Sequence, residues 1–204
     1  MKHLVLCLTA FLLTVQTLEA QSKKELAAML TRDLEAYRQY TLAGDFDNSL
    51  QFMPPKMFEV VPRDSLKASM MHSMDNEYMT IQLTGLDFKE KKKINIKKAG
   101  AYYWTMIQYD GSMRMELKGE PGYKALMVTI FKNQLGAENV QMEGESTMKI
   151  ALKNKRLIAY KDPASPRWSL IEDKRSEKGP TGEKQKILFE TIMPEEVLKA
   201  VGNN

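Results

Sequence analysis

The chain has 204 residues, with 30 lysine and arginine residues against 26 aspartate and glutamate residues and a net charge of +4 at neutral pH. It contains one cysteine, Cys7, and two histidines, His3 and His72. This length suits one domain with a sizeable core, while a single cysteine excludes an internal disulfide and cysteine-rich zinc sites.

Residues 1–20 have the three parts of a secretory signal peptide: a cationic start at Lys2, an apolar run over residues 4–15, and the small residue Ala20 before the expected cleavage site. The apolar run is shorter than the roughly 20 residues that a membrane span needs. We therefore expect an exported protein, periplasmic or extracellular and soluble after cleavage, in which residues 21–204 form a single domain.

Cleavage would remove Cys7 and His3 and leave His72 as the only imidazole. A catalytic triad divides its roles among several residues, and the chain has no Gly-x-Ser-x-Gly turn, phosphate-binding glycine loop or calcium loop. We therefore predict no catalytic residues and no cofactor. The question of enzymatic activity stays open, with a non-enzymatic protein as the favoured interpretation.

The first half of the mature chain is predicted to be helical. Ser22 and Glu25 form a capping box, and apolar residues then recur at helical spacing until Gly44: Leu26, Met29, Leu30, Leu34 and Tyr37. A short second helix is expected over residues 45–52. A third is expected from its cap, Asp64, to about Met74.

From Tyr78 the apolar residues alternate, which predicts a strand with Met79, Ile81 and Leu83 on one face. The alternation shifts after Gly85, and this favours a bulge or sharp bend at the glycine. Ile94 and Ile96 are expected to continue this edge of the sheet.

Two hairpins are predicted next. Residues 101–109 and 112–118 flank Asp110-Gly111, a pair typical of tight turns, and residues 147–153 and 157–161 flank Asn154-Lys155. Between them, the spacing of Tyr123, Leu126, Met127 and Ile130 favours a helix that Gly136 ends. A last strand over 168–172, a mobile loop over 173–186 and a short helix from Pro194 complete the chain.

The chain resembles the nuclear-transport-factor-2-like superfamily, whose cystatin-like fold is cone-shaped. The resemblance lies in YTLAGDFD at 40–47, PRDSL at 62–66 and WSLIE at 168–172, and it covers roughly residues 24–172. It implies an α+β fold in which N-terminal helices pack on a strongly curved antiparallel sheet that encloses a pocket. The alternative fold is the half-barrel of periplasmic lipoprotein carriers.

Members of that superfamily include isomerases, dehydratases and cyclases as well as proteins without catalysis, so the fold does not decide the function. Five residues are our candidates for lining a pocket: Tyr78, Tyr102, Trp104, Met106 and Arg114. The leading hypothesis is a non-enzymatic binding module for a small apolar ligand or an envelope protein. A periplasmic lipid carrier is an alternative.

A second alternative is a lyase or isomerase that uses a tyrosine, Tyr102 or Tyr103, with a carboxylate, Asp87 or Glu116. Proton abstraction near neutral pH requires one of these carboxylates to be buried. Burial of Asp87 or Glu116 would therefore distinguish this alternative from the binding module.

Two further clusters have a functional and a structural interpretation. Met70, His72 and Met74 carry ligands that monovalent copper prefers, but two methionines one turn apart more simply pack into the core; we predict no metal site. The basic run Lys89, Lys91, Lys92 and Lys93 suits anionic lipid head groups, but we favour a charged strand end that protects an edge. No nucleic-acid partner is expected.

Overall fold

The structure is a computed structural model of the 204-residue chain. It describes residues 2–89, 94–175 and 179–202, without the side chains of 2–22 and 179–182. Over these residues the helices are α1 (Lys2–Ala43), α2 (Phe46–Ser49), α3 (Met57–Val60), α4 (Arg63–Met74), α5 (Pro121–Leu135), α6 (Gly179–Ile192) and α7 (Glu195–Gly202). The strands are β1 (Met79–Phe88), β2 (Lys97–Ala99), β3 (Tyr102–Leu117), β4 (Val140–Met142), β5 (Thr147–Lys161) and β6 (Ser169–Glu172).

The first helix confirms the predicted apolar stripe and its end. Leu30 and Leu34 are almost fully buried, and Gly44 follows α1 with a φ of 67°, the left-handed conformation in which glycine commonly ends a helix. The start at Ser22 is predicted for the chain after cleavage; in the uncleaved chain α1 already begins at Lys2. The signal peptide itself stays a prediction.

The shorter helices also follow the sequence. The Asp45 carboxylate caps α2 by accepting a hydrogen bond from the Asn48 backbone N–H at 3.1 Å, and a 3-10 turn over Leu50–Phe52 continues it. In α4 the cap position is Pro62, and Asp64 lies in the first turn instead of capping the helix. Helix α5 ends before Gly136 as predicted, at a φ of 91°.

A six-stranded, open, antiparallel sheet forms the centre of the molecule, so the predicted α+β class is confirmed. Strands β3 and β5 are its long middle strands, with 16 and 15 residues. Strands β1 and β2 pair with successive parts of β3, whereas β4 and β6 pair with successive parts of β5. The strand order does not decide whether the sheet forms a cystatin-like cone, so that finer part stays a prediction.

Both predicted hairpins are wrong. Tyr102–Leu117 form the continuous strand β3 and Thr147–Lys161 the continuous strand β5. Asp110 and Asn154 lie opposite each other at a register shift between these strands, so they form a bulge instead of two turns. The predicted edge at Ile94 and Ile96 is also displaced, since β2 begins at Lys97.

The predicted bend at Gly85 is confirmed by a register shift between Leu83 and Gly85 in the pairing of β1 with β3. The register shift in the pairing of β3 with β5 falls between Tyr109 and Gly111. These two residues of β3 lie next to the shift at Gly85 of β1, the adjacent strand. Bulges in neighbouring strands add local twist at one level. The sheet therefore bends along a line that crosses β1, β3 and β5.

Helices pack on both faces of the sheet. On one face, Leu30 and Leu34 of α1 join a core cluster with Ile107 and Leu157. On the other face, α6 and α7 pack against Trp104, Ile158 and Tyr160. A third cluster joins α5 to the far halves of β3 and β5 through Met115, Met148 and Ile150.

Helix α6 replaces the second part of the loop predicted over 173–186. Phe189 and Ile192 are buried, and this apolar face outweighs the charged character of the segment. Pro180 lies in the first turn, where its missing N–H costs nothing. Residues 176–178 of the predicted loop lie outside the described residues, whereas the predicted terminal helix is confirmed as α7.

In the part of the chain covered by the structure, we find no helix with the combined length and apolar character needed to cross a membrane.

Candidate functional site

Three of the five predicted pocket residues share a face of β3, but that face is covered. Trp104 is only 2% exposed and packs with Tyr102 and Met106 against the C-terminal helices. Tyr102 also contacts Tyr160, with ring centroids 6.2 Å apart, and both residues line a cavity of about 410 Å³. Burial, followed by the charges of Tyr102 and Asp162, raises the pKa of Tyr160 to about 12, although a hydrogen bond with Ser169 lowers it.

The other two predicted residues lie elsewhere. Tyr78 precedes β1 on the far side of the bend, where it is 51% exposed and its ring lies 5.7 Å from that of Tyr123. Arg114 is exposed on β3, with its Nε 3.8 Å from the Glu143 carboxylate. Neither lines a cavity with Tyr102, Trp104 or Met106.

The carboxylates considered for a lyase or isomerase are both exposed. Asp87 lies on β1 and Glu116 on β3. Tyr103 contacts the α1 core, whereas Tyr102 belongs to the cluster on the opposite face. These residues therefore do not form the buried tyrosine–carboxylate pair that the alternative requires.

The methionine–histidine cluster is split by its helix. Met70 and Met74 line a cavity below α4, whereas His72 is exposed. Among the described residues, no group of three or more histidine, cysteine, aspartate or glutamate side chains is placed to hold a metal ion.

Lys89 of the basic run and Lys97, which follows the run, contact different residues. Lys89 forms an ion pair with Asp110 at 3.0 Å, and the Lys97 ammonium lies 5.0 Å from the centre of the Trp104 ring. Lys91, Lys92 and Lys93, for which a charged strand end is favoured over membrane contact, lie outside the described residues.

The best candidate site is a cleft at the bend of the sheet, where three adjoining cavities meet at Tyr37. The first, of about 230 Å³, lies between α1 and the bend. The second, of about 300 Å³, lies between α1 and α6, and the third, of about 210 Å³, between α1 and α4. We call these cavities together the Tyr37 cleft. Their sizes approach the lower end of the range for small-molecule pockets, about 300–1,000 Å³.

Most of the cleft wall is apolar. The first cavity is lined on the sheet side by aliphatic and aromatic side chains: Leu83, Leu86, Phe88, Tyr109, Leu152 and Leu157. The second adds methionine, leucine, isoleucine and phenylalanine side chains from α3, β6 and α6. The surface therefore favours an apolar ligand.

The bend opens this cleft because it turns the wall of the sheet beneath the end of α1. Gly85 and Gly111 lie at the bend, and both line the first cavity. A Cβ atom at Gly85 would lie 2.5 Å from the Ser112 hydroxyl oxygen, so a larger residue there would have to displace that hydroxyl.

A few polar groups face this apolar wall. Tyr37 and Thr41 lie one turn apart on α1, and Glu172 is the last residue of β6. Burial raises the pKa of Tyr37; a weak hydrogen-bonding interaction with the Thr41 hydroxyl lowers it in part, and the charge of the Glu172 carboxylate raises it again. Tyr37 is therefore a neutral hydrogen-bond donor at physiological pH.

Two buried oxygen atoms of the cleft have no well-formed hydrogen bond within the described residues: the Thr41 hydroxyl and the Gln185 carbonyl on α6. Glu172 is partly exposed and pairs with Lys174, with 3.5 Å between Oε2 and Nζ. The cleft thus combines extended apolar walls with a small number of convergent polar groups, which is typical of sites for small molecules.

Sequence analysis missed this cleft as a site. It predicted Tyr37 as part of the apolar stripe of α1 and Glu172 as the end of the last strand, and both residues lie in those elements. Their proximity depends on how α1 lies on the sheet, which local periodicity does not specify.

No protein-family model matches the chain, and the comparisons with curated proteins and with solved structures gave no match either. The resemblance to the nuclear-transport-factor-2-like superfamily therefore stays a prediction, and the case for function depends on the cleft itself.

Proposed function

We propose that the protein is an exported binding module that holds a small apolar ligand in the Tyr37 cleft. The observation that carries this proposal is the meeting of three cavities at one tyrosine, in walls that are apolar except for a few grouped polar side chains. Burying an apolar ligand there removes its surface from water, at about 25 cal/mol per Å².

Export is supported by the signal-like pattern of residues 1–20. Fractionation of expressing bacterial cells and the intact mass of the recovered protein test it. We expect the protein outside the cytoplasm with a mass that lacks about the first twenty residues. Recovery of the uncleaved chain from the cytoplasm would contradict export without affecting the binding proposal.

Ligand binding is tested with the purified protein and N-phenyl-1-naphthylamine, a neutral apolar dye whose fluorescence rises when it leaves water. We expect saturable binding of one dye per chain and a rise in the melting temperature. Native mass spectrometry of the same sample would show any ligand that copurifies, and a copurified lipid would favour the carrier form of the proposal. Absence of saturable dye binding, with a bare mass, would contradict ligand binding.

A further inference from the structure

The polar groups of the Tyr37 cleft indicate which ligand it accepts. In the first cavity they are Tyr37 and Thr41 on α1, Glu172 on β6, and Ser112 on β3. The Ser112 hydroxyl is already paired with that of Thr84, at 3.0 Å. Tyr37, Thr41 and Glu172 therefore remain as the groups that could receive the polar end of a ligand.

Thr41 differs from the other threonines in the described helices whose hydrogen bonds are known. Thr31, Thr129 and Thr191 each donate from the side-chain hydroxyl to the carbonyl four residues earlier, at 2.8–3.0 Å. The Thr41 hydroxyl is buried and makes no such bond, and it reaches the Tyr37 phenol only outside good hydrogen-bond geometry. A buried hydroxyl without a well-formed hydrogen bond is costly, and at a cavity wall a ligand is a fitting partner.

The charges near Thr41 restrict the ligand's head group. In the first cavity, which Glu172 lines and Lys174 does not, the Glu172 carboxylate would repel an anionic head such as a fatty-acid carboxylate. A cationic head would have to leave water beside apolar walls, and Lys174, at 3.5 Å from Glu172, opposes it as well. A neutral group avoids both costs.

The hydrogen-bonding capacity of Tyr37, Thr41 and Glu172 restricts the head group further. Glu172 only accepts hydrogen bonds, the neutral Tyr37 phenol donates, and the Thr41 hydroxyl can do either. A hydroxyl or primary amide head both donates and accepts, so it can satisfy all three. From these contacts we infer that the Tyr37 cleft selects an apolar chain with a neutral hydroxyl or amide head; the inference rests on the proposed binding function.

Three probes with the same chain test this inference: 1-decanol, decanoate and decylamine, each competing with N-phenyl-1-naphthylamine for the protein at pH 7. We expect Thr41→Val to weaken decanol binding by about five- to tenfold, the effect of one lost hydrogen bond. The matched control is Thr129→Val on α5, whose hydroxyl is bonded to the Ala125 carbonyl. We expect it to leave decanol binding unchanged.

The variant Glu172→Gln tests whether the charge of this carboxylate disfavours an anionic head group. Without the carboxylate, we expect decanoate to gain affinity by at least about threefold relative to decanol. An unchanged decanol affinity in Thr41→Val would overturn the inference, and so would decanoate or decylamine binding more tightly than decanol. If the dye binds and the head-group preference fails, only this inference is wrong; if the dye does not bind, the proposed function fails with it.

Discussion

The Asp110 carboxylate accepts a hydrogen bond from the backbone N–H of Asn154 at 2.8 Å, across the bulge that joins the two long strands of the sheet. Lys89, just after β1, contacts both residues: its ammonium lies 3.0 Å from the Asp110 carboxylate and 2.8 Å from the Asn154 side-chain oxygen. One polar cluster thus links all three bent strands. Since the bend forms a wall of the Tyr37 cleft, this cluster supports the candidate site.

Asn154 has a φ of 53°, a left-handed conformation that asparagine and glycine tolerate better than other residues. We expect Asn154→Ala to lower the free energy of unfolding by about 1–2 kcal/mol. Asn154→Gly is the matched control: it also removes the side chain but accepts the backbone conformation, so its loss should be smaller. Urea denaturation checks this, and equal losses in the two variants would contradict backbone strain as the cause.

Gly85 is a second point at which the bend constrains the sequence. A methyl group there would displace the Ser112 hydroxyl, 2.5 Å from the added Cβ, and break its hydrogen bond with Thr84. We expect Gly85→Ala to cost about 1 kcal/mol, because a serine side chain can rotate away.

The double variant with Ser112→Ala should recover part of that loss, since the nearest remaining side-chain atom would be the Ser112 Cβ, at 3.7 Å from the added methyl. A double-mutant cycle by thermal denaturation measures this coupling. Additive losses would show that the two positions do not interact as the structure indicates.

These two positions also show how far the sequence predicts the fold. The slip in alternation at Gly85 correctly predicted a bend, because a bulge changes which residues face the core. Asp110-Gly111 and Asn154-Lys155 gave turn signals for the same physical reason, a preference for positive φ or tight backbone geometry. Such a preference does not distinguish a hairpin from a bulge. Only the pairing of β3 with β5, between residues distant in sequence, decides that.

A buried aspartate joins α1 to the start of β6. The Asp33 carboxylate, 3% exposed, accepts a hydrogen bond from the backbone N–H of Trp168 at 3.0 Å. Asp33→Ala leaves this buried N–H without a partner, so we expect a loss of about 1–3 kcal/mol in the free energy of unfolding. Asp33→Asn keeps an acceptor oxygen and should lose less. Chemical denaturation of both variants is the measurement, and equal stabilities would contradict a role for this bond.

The ion pairs of Asp173, the residue after Glu172, predict that the stability of the fold depends on pH. Burial raises the pKa of its carboxyl, but the Arg175 guanidinium, at 2.8 Å, and Arg156, at 3.2 Å, outweigh burial and hold the pKa below its ordinary value of 3.8. Because the folded-state pKa is the lower one, the carboxylate stabilises the fold above about pH 3.8, and this contribution disappears as the pH falls through the folded-state pKa.

We therefore expect Asp173→Asn to reduce stability at pH 7 by about 1–3 kcal/mol, the range for hydrogen bonds to charged groups. The difference from the unmodified protein should shrink as the pH falls below 3.8. Asp87→Asn, at an exposed position, is the control and should change stability little at either pH. A difference for Asp173→Asn that stays constant with pH would contradict the charge-based explanation.

The candidate site was less predictable than the fold. Alternation along β3 predicts that Tyr102, Trp104 and Met106 share one face of the strand, and they do share it. Alternation cannot say which face a helix covers, and α6, predicted as part of a loop, packs on this one. The first cavity of the cleft lies between the sheet and α1 instead, where local periodicity correctly predicts Tyr37 as part of the apolar stripe.

The most direct test of the binding proposal fills the Tyr37 cleft and measures N-phenyl-1-naphthylamine binding. Leu83 lines two of the three cavities, and Leu86 lines the first; Leu83→Trp and Leu86→Trp would each occupy part of that space. Leu126→Trp, at a position 57% exposed on α5, adds the same ring outside the cleft. Circular dichroism identifies the variants that remain folded. We predict that the folded filling variants lose at least about tenfold in dye affinity while Leu126→Trp binds like the unmodified protein; unchanged affinity in a folded filling variant would contradict the proposal.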